Sequence, residues 1–389
     1  MKFMLCAVGL MIVTLTAVTG CRDNVAAVIV PEPVQPQPQL QIFNGSNQII
    51  DIFWLESDTV RKPNGFVEPG KNTVISSTLG HRFEIVGRND KATMVTTCDI
   101  PIKATRFAPQ DQDGIPAFYT QRVSANGFPI VASAKVNPYA LKEAVFLVDL
   151  MLANRPDVRT AMIKSGARMC MLAYDQYTTD LPEFEHMKNE KVEGFETLSP
   201  KDFWDARARG LGGSETDPYC SVAEENLLCY PGDPYALESI LIHEFAHSMH
   251  LRGMLNVDPT FDVRLKATYD AAMKVGLWKG KYASVNHYEY WAEGVQSWFD
   301  NNRINDHDHN HVNTRVLLVE YDSGLAALCR EVFGSTVLKY TKPPTRLTGH
   351  MTGYDPAKAP TFEWPERLRS VKTTILESKQ KRNEEASGR

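Results

Sequence analysis

The chain has 389 residues, with 42 Lys and Arg against 47 Asp and Glu, a formal net charge of −5, and 43% hydrophobic side chains. That length permits two folded domains, each with its own core. The slightly acidic balance leaves no basic footprint for nucleic acid, and nothing in the composition speaks to oligomeric state.

Met1-Lys2 leads into a short apolar run from Phe3 to Leu15, too short for a membrane span of about 20 residues and placed as a cleaved secretory leader is. The run closes on Val18-Thr19-Gly20-Cys21, which resembles a bacterial lipobox. Residues 1–20 are therefore expected to be a lipoprotein signal peptide and Cys21 the lipidated N-terminus. Arg22, rather than an Asp, follows that cysteine, so the expected location is extracytoplasmic, on the outer membrane or cell surface. Residues 21–39, with Pro31, Pro33, Pro36 and Pro38 among glutamines, read as an anchor and an extended linker.

Residues 40–125 are expected to form an all-β sandwich. Gln41–Phe43, Gln48–Leu55, Asn72–Ser76 and Arg82–Val86 are β-prone runs, separated by turn signals at Asn44-Gly45-Ser46, Pro63-Asn64-Gly65 and Glu68-Pro69-Gly70-Lys71. Asn44, Ser46, Trp54-Leu55, Pro69-Gly70 and Ser77–Phe83 resemble the β domain of the von Hippel–Lindau tumour suppressor. The resemblance implies a peptide-binding pocket at Trp54, Ser77 and His81. The match has gaps: Phe83 stands where that family has a Trp, and its pocket Tyr has no counterpart. The plain alternative is a core Trp and a His at a strand end.

Residues 126–368 are expected to be a helix-dominated α+β domain. Pro138–Ala153 reads as a helix capped by Asn137. Arg168–Ala173 and Asn226–Tyr230 read as strands, and an edge strand near a catalytic site would let a peptide bind extended. Arg207–Ser214 reads as a flexible, glycine-rich loop able to border a cleft. Tyr235–Ile242 is apolar at helical spacing and runs into His243-Glu244-Phe245-Ala246-His247. On a helix, HExxH sets two imidazoles one turn apart on one face, with the carboxylate of Glu244 beside them. That is a zinc pattern. A catalytic zinc takes a third protein ligand and keeps one position open. His250, continuing along the same helix, would point past the ion, and Gly253 stands where the longer HExxHxxGxxH pattern needs a ligand. Tyr282–Phe299 reads as a second helix, with Glu289 and Glu293 four apart on one face among apolar residues. A Glu from a second helix is the gluzincin solution to the third ligand.

HEFAH followed by YASVNHYEYWAEG resembles the catalytic domain of anthrax lethal factor and its relatives. The resemblance implies that His243, His247 and Glu289 bind one Zn²⁺ per chain, that Glu244 is the general base, that Tyr282 assists at the oxyanion, and that Glu293 lies behind the ligands. Residues from about Val123 to Pro365 also resemble a group of secreted proteins carrying both motifs. The expected activity is zinc-dependent hydrolysis of a protein or peptide substrate by a zincin-like domain. Two alternatives stand beside it: a non-catalytic surface lipoprotein that binds a protein around a structural zinc, and a metal-dependent hydrolase of non-peptide substrates.

Asp306-His307-Asp308-His309-Asn310-His311 is a second cluster of metal-ligating residue types, and alternation of this kind also occurs in solvated loops. Among the cysteines, Cys220 and Cys229 are near enough in sequence for a disulfide across a loop, and no CxxC pair exists to hold a metal. Residues 369–389 read as a charged, disordered tail.

Overall fold

Alternation of apolar and polar residues builds the first strands. In β1 (Gln39–Asn44) and β2 (Ile50–Leu55), Leu40, Ile42, Ile50 and Ile52 point inward. The structure, a computed structural model, describes residues 37–334, 336 and 338–387. The expected leader, Cys21 and most of the linker lie outside the described residues. A β-rich N-terminal region precedes a largely helical one, and the chain as a whole is mixed α+β.

The first region adds β3 (Arg61–Val67), β4 (Asn72–Ser76), β5 (Arg82–Gly87), β6 (Thr93–Thr97) and β7 (Ile102–Phe107). They form a sheet of order β4-β1-β7 and another of order β3-β2-β5-β6. Leu40, Ile42 and Phe107 from the one sheet share a core with Ile50, Ile52, Val67, Phe83 and Ile85 from the other. Pro63-Asn64-Gly65, expected as a turn, lies inside β3. This strand is exposed except at Val67 and pairs only with β2, across an irregularity between Asp51 and Phe53. At such an edge the missing N–H of a proline costs no ladder bond.

The expected boundary at 125/126 is also corrected. β8 (Gln121–Ala125) pairs with β9 (Phe128–Ala132) across Asn126-Gly127, whose φ angles of 47° and 97° suit a tight hairpin turn. Both strands belong to the second region's sheet, of order β11-β12-β10-β9-β8. There β9, β10 (Arg168–Leu172) and β12 (Tyr219–Ala223) are parallel, and β8 and β11 (Gly210–Leu211) form antiparallel edges.

The helices are α1 (Pro138–Met151), α2 (Pro156–Lys164), α3 (Pro200–Arg207), α4 (Glu224–Leu227), α5 (Ile240–Ser248), α6 (Leu255–Val257), α7 (Phe261–Lys274), α8 (His287–Trp298), α9 (Arg315–Tyr321), α10 (Ser323–Phe333) and α11 (Glu366–Ser387). The start of α1 is as expected, with the Asn137 side chain accepting from the Tyr139 N–H.

Three expectations fail for local reasons. Asn226–Tyr230 is not a strand, because α4 and a turn occupy it. The Asn226 amide instead donates to Asp233 and to the carbonyls of Tyr235 and Glu238, while its oxygen accepts from the Ile240 N–H. Those bonds hold Tyr235–Ser239 as a turn, so the helix starts later than its apolar pattern implied. The expected disulfide is absent: Cys220 sits on the interior strand β12 with Sγ near the Arg168 carbonyl, Cys229 follows α4 at φ 55°, and both are free thiols. The expected tail is helical as α11, whose Leu368, Val371 and Ile375 pack with Phe203 and Ala206 of α3.

Side-chain and main-chain bonds join the two regions. Asn256 of α6 accepts from the Ile102 N–H at 2.7 Å and donates to its carbonyl at 3.0 Å. Gln41 of β1 donates to the Thr216 carbonyl at 2.7 Å, and the Ala104 N–H donates to the Ser165 carbonyl at 3.0 Å.

Candidate metal centre

Two helices position the donors. α5 carries His243 and His247 one turn apart, and α8 crosses it, pinned by Trp291, whose indole N–H donates to the Ala246 carbonyl at 3.0 Å. Asn286 caps α8, its oxygen accepting from the N–H groups of Tyr288 and Glu289 at 2.9 Å each. The cap fixes where Glu289 starts, a role its sequence position alone did not reveal. Tyr282, expected on the same helix, lies before that cap on a separate short turn, Tyr282–Ser284.

The three donor atoms converge. His243 Nε2 is 3.1 Å from Glu289 Oε2, His247 Nε2 is 3.3 Å from the same oxygen, and the two Nε2 atoms are 3.3 Å apart. An ion in tetrahedral geometry, with ligands at about 2.0–2.1 Å, has ligand-to-ligand edges of about 3.3 Å. This is the one group among the described residues placed to hold a metal. The Gln296 amide donates to Glu238 Oε2 at 2.9 Å, which turns its oxygen toward His243 Nδ1 at 2.8 Å. His243 therefore carries a proton on Nδ1 and turns Nε2 to the carboxylate of Glu289, where it donates a hydrogen bond when protonated and offers a lone pair to an ion when not. Either a proton or a metal cation must lie between that nitrogen and the carboxylate.

The electrostatics follow from that convergence. Burial raises the Glu289 carboxyl, but hydrogen bonds from His243 and His247 outweigh it and hold the group well below its ordinary range. Burial pushes the Glu244 carboxyl up against the opposing pull of both histidines, and the net shift is upward. Burial and the charges of Glu289 and Glu244 keep the Tyr282 phenol protonated far above its ordinary value, and it hydrogen-bonds Glu289. Its ring stacks toward His243 at 6.1 Å.

Behind the donors stands a network of which sequence reasoning named only Glu293. Glu293 Oε1 is 3.5 Å from His243 Nδ1, and Glu293 Oε2 is 3.3 Å from His309 Nε2 and accepts from Asn302 at 2.9 Å. His309 is held in turn by Asp306 at 2.8 Å. The expected second cluster is thus not a separate centre: His309 turns inward, His307 bonds Asp308, and His311 packs edge-on against Tyr321. His250 is fully buried, three residues past His247 where the helix continues as a π-helix over Met249–Met254.

Glu244, Tyr282 and the three donors line a cleft of about 790 Å³. The Arg207–Ser214 segment, expected as a loop, supplies its other wall and contains the edge strand β11. Glycine is needed there. A Cβ on Gly210 would stand 3.1 Å from Glu244 Cγ and 2.5 Å from Ile240, and one on Gly212 would stand 2.7 Å from His247 Cβ.

In the N-terminal region the structure brings Trp54, Ser77 and His81 together. The Trp54 and His81 rings are 5.3 Å apart, Ser77 Oγ is 3.3 Å from His81 Nδ1, and Trp54 Nε1 is buried with no hydrogen-bond partner among the described residues. The chain matches no protein-family model and no curated protein.

Proposed function

We propose that the chain is a zinc-dependent endopeptidase of gluzincin type, with a zincin-like catalytic region behind a β-sandwich akin to the von Hippel–Lindau β domain. In this reading it is exported and lipid-anchored at Cys21. The observation that carries the proposal is the donor triangle His243, His247 and Glu289, with edges of 3.1–3.3 Å, in a cleft that Glu244 also lines. The mixed nitrogen and carboxylate donor set suits zinc.

Zinc, when bound, supplies a Lewis acid and makes water acidic enough to lose a proton near neutral pH. Glu244, with its raised pKa, takes the proton of the attacking water and passes it to the leaving amine. Tyr282, held protonated, donates a hydrogen bond to the carbonyl oxygen as its charge grows. Glu293 and Gln296 hold the His243 ring so that its Nε2 lone pair stays on the donor triangle. The edge of β11 offers main-chain groups beside Glu244 for an extended peptide, which favours a peptide over a small enclosed substrate.

The test is elemental analysis of the purified chain from residue 22 onward, coupled to cleavage of a diverse peptide library with and without chelator. One zinc per chain and chelator-sensitive cuts are expected. Zinc without any cut would favour a binding protein or a non-peptide hydrolase, and no zinc would refute the central reading. Glu244→Gln is expected to keep its zinc and lose turnover by about 10²–10⁴-fold, read from kcat and metal content on one sample.

A further inference from the structure

The glycine wall gives the cleft a direction. A Cβ at Gly210 would meet Ile240 and Glu244, at Gly212 His247, and at Gly213 Ser248 and Arg252. The segment therefore runs alongside α5 from its first turn to beyond its last. Its two ends differ in charge: Arg207 precedes β11, and Glu215 follows it, both lining the cleft.

Arg207 is exposed at the end of α3, with its guanidinium 5.9 Å from the Trp204 ring, and it has no carboxylate partner among the described residues. The other two arginines of the cleft are neutralised, Arg209 by Glu225 at 2.5 Å and Arg303 by Glu238 at 3.0 Å. Arg207 stands near enough to the reacting groups for its charge to act on Glu244 and Tyr282. Beside it α11 closes the wall. Lys372 lies over the rings of Tyr235 and Trp364 at 5.7 and 5.0 Å, and Ile375 and Leu376 face the same cleft. This end is an aromatic and aliphatic shelf under positive charge.

We propose that the Arg207 end of the cleft is a carboxylate-binding subsite, which pairs with an acidic side chain or the free C-terminal carboxylate of a peptide lying along β11. The inference rests on the peptidase reading and names its substrate class. A planar guanidinium meets a carboxylate through two parallel hydrogen bonds. A peptide paired antiparallel to β11 puts the residue after the scissile bond at this end.

The test uses the zinc-loaded full chain and peptides differing only at the residue after the scissile bond (Glu, Gln or Lys), each with a free or an amidated C-terminus. The Glu peptide, the free-acid peptide or both are expected to be cleaved with kcat/KM about tenfold or more above the Gln amide, and the two arms tell side chain from terminus. Arg207→Gln should erase the preference, Arg207→Lys keep part of it, and Arg207→Glu turn it toward the Lys peptide. Equal cleavage of every carboxylate and amide pair by the unaltered chain overturns the subsite and leaves the peptidase standing. If no peptide is cut, the peptidase reading fails, and calorimetric binding of the same peptides to the Glu244→Gln protein decides the subsite alone. Tighter carboxylate binding that Arg207→Gln removes supports it, and equal binding overturns it.

Discussion

Two clusters of two histidines and one carboxylate lie next to each other along the helix that starts at Ile240, and the same residue types behave differently in them. In the first, His243, His247 and Glu289 bring three lone-pair atoms within 3.1–3.3 Å of one another at the cleft wall. In the second, His250 and His287 both address a single oxygen of Asp262, each at 3.0 Å, with their rings 6.5 Å apart. One carboxylate is a corner of a triangle; the other is a hub between two rings. Convergence of lone pairs, rather than the presence of histidine and carboxylate, makes a place for a cation.

The comparison breaks most sharply by exchanging the carboxylates. Glu289→Ala is expected to lose the metal and all metal-dependent activity. Asp262→Asn is expected to keep one equivalent and to lose only stability, by about 1–3 kcal/mol for a partly buried hydrogen-bonded charge. Metal content and urea unfolding on both variants check this. Tight zinc retention by Glu289→Ala, or its loss from Asp262→Asn, would erase the distinction.

A smaller effect is expected behind the first cluster. His309→Ala removes one partner of Glu293 and, through it, part of the support of His243, so metal affinity should fall about 10–100-fold without disappearing. Competition with a calibrated chelator measures it. An unchanged affinity would make His309 a bystander.

The smallest expected effect is on pH dependence, and it belongs to the second cluster. Burial is the largest influence on His250 and pulls it below its ordinary value of 6.5, although Asp262 pulls it up. Below 6.5 the unfolded chain takes up a proton that the folded chain does not, so stability falls as pH drops from that value toward the depressed one. The decline is read as the difference between the chain and His250→Gln in unfolding measured from pH 7 to pH 5, because His243 and His309, both raised above the ordinary value, act with opposite sign in the two proteins alike. The same pH dependence in the chain and in His250→Gln would contradict the buried neutral imidazole.

What the sequence disclosed follows from distance along the chain. His243, Glu244 and His247 are one helical turn, and Glu289 and Glu293 are another, so spacing alone put each pair on a face. His309 reaches Glu293 only because the intervening loop turns on Asp306, whose oxygen accepts from the N–H groups of Asp308 and His309 at 2.8 Å each. No periodicity encodes such a closure. α11 was hidden differently: Leu368, Val371 and Ile375 recur at helical spacing, but the charges around them resembled a solvated tail. Pro63-Asn64-Gly65 misled because breakers are tolerated at an exposed edge, and exposure is a property of the finished sheet.

The β8–β9 hairpin has a consequence for how this protein behaves when cut. A chain begun at residue 126, where composition places a domain boundary, would be stripped of β8 and would present β9 as a bare edge of unpaired main-chain groups. Phe128, Ile130, Val131 and Ala132 are all buried on that strand. An apolar open edge of this kind recruits strands from neighbouring molecules. A fragment trimmed there is expected to self-associate, so β8 also serves as the strand that keeps one molecule's sheet from extending into the next.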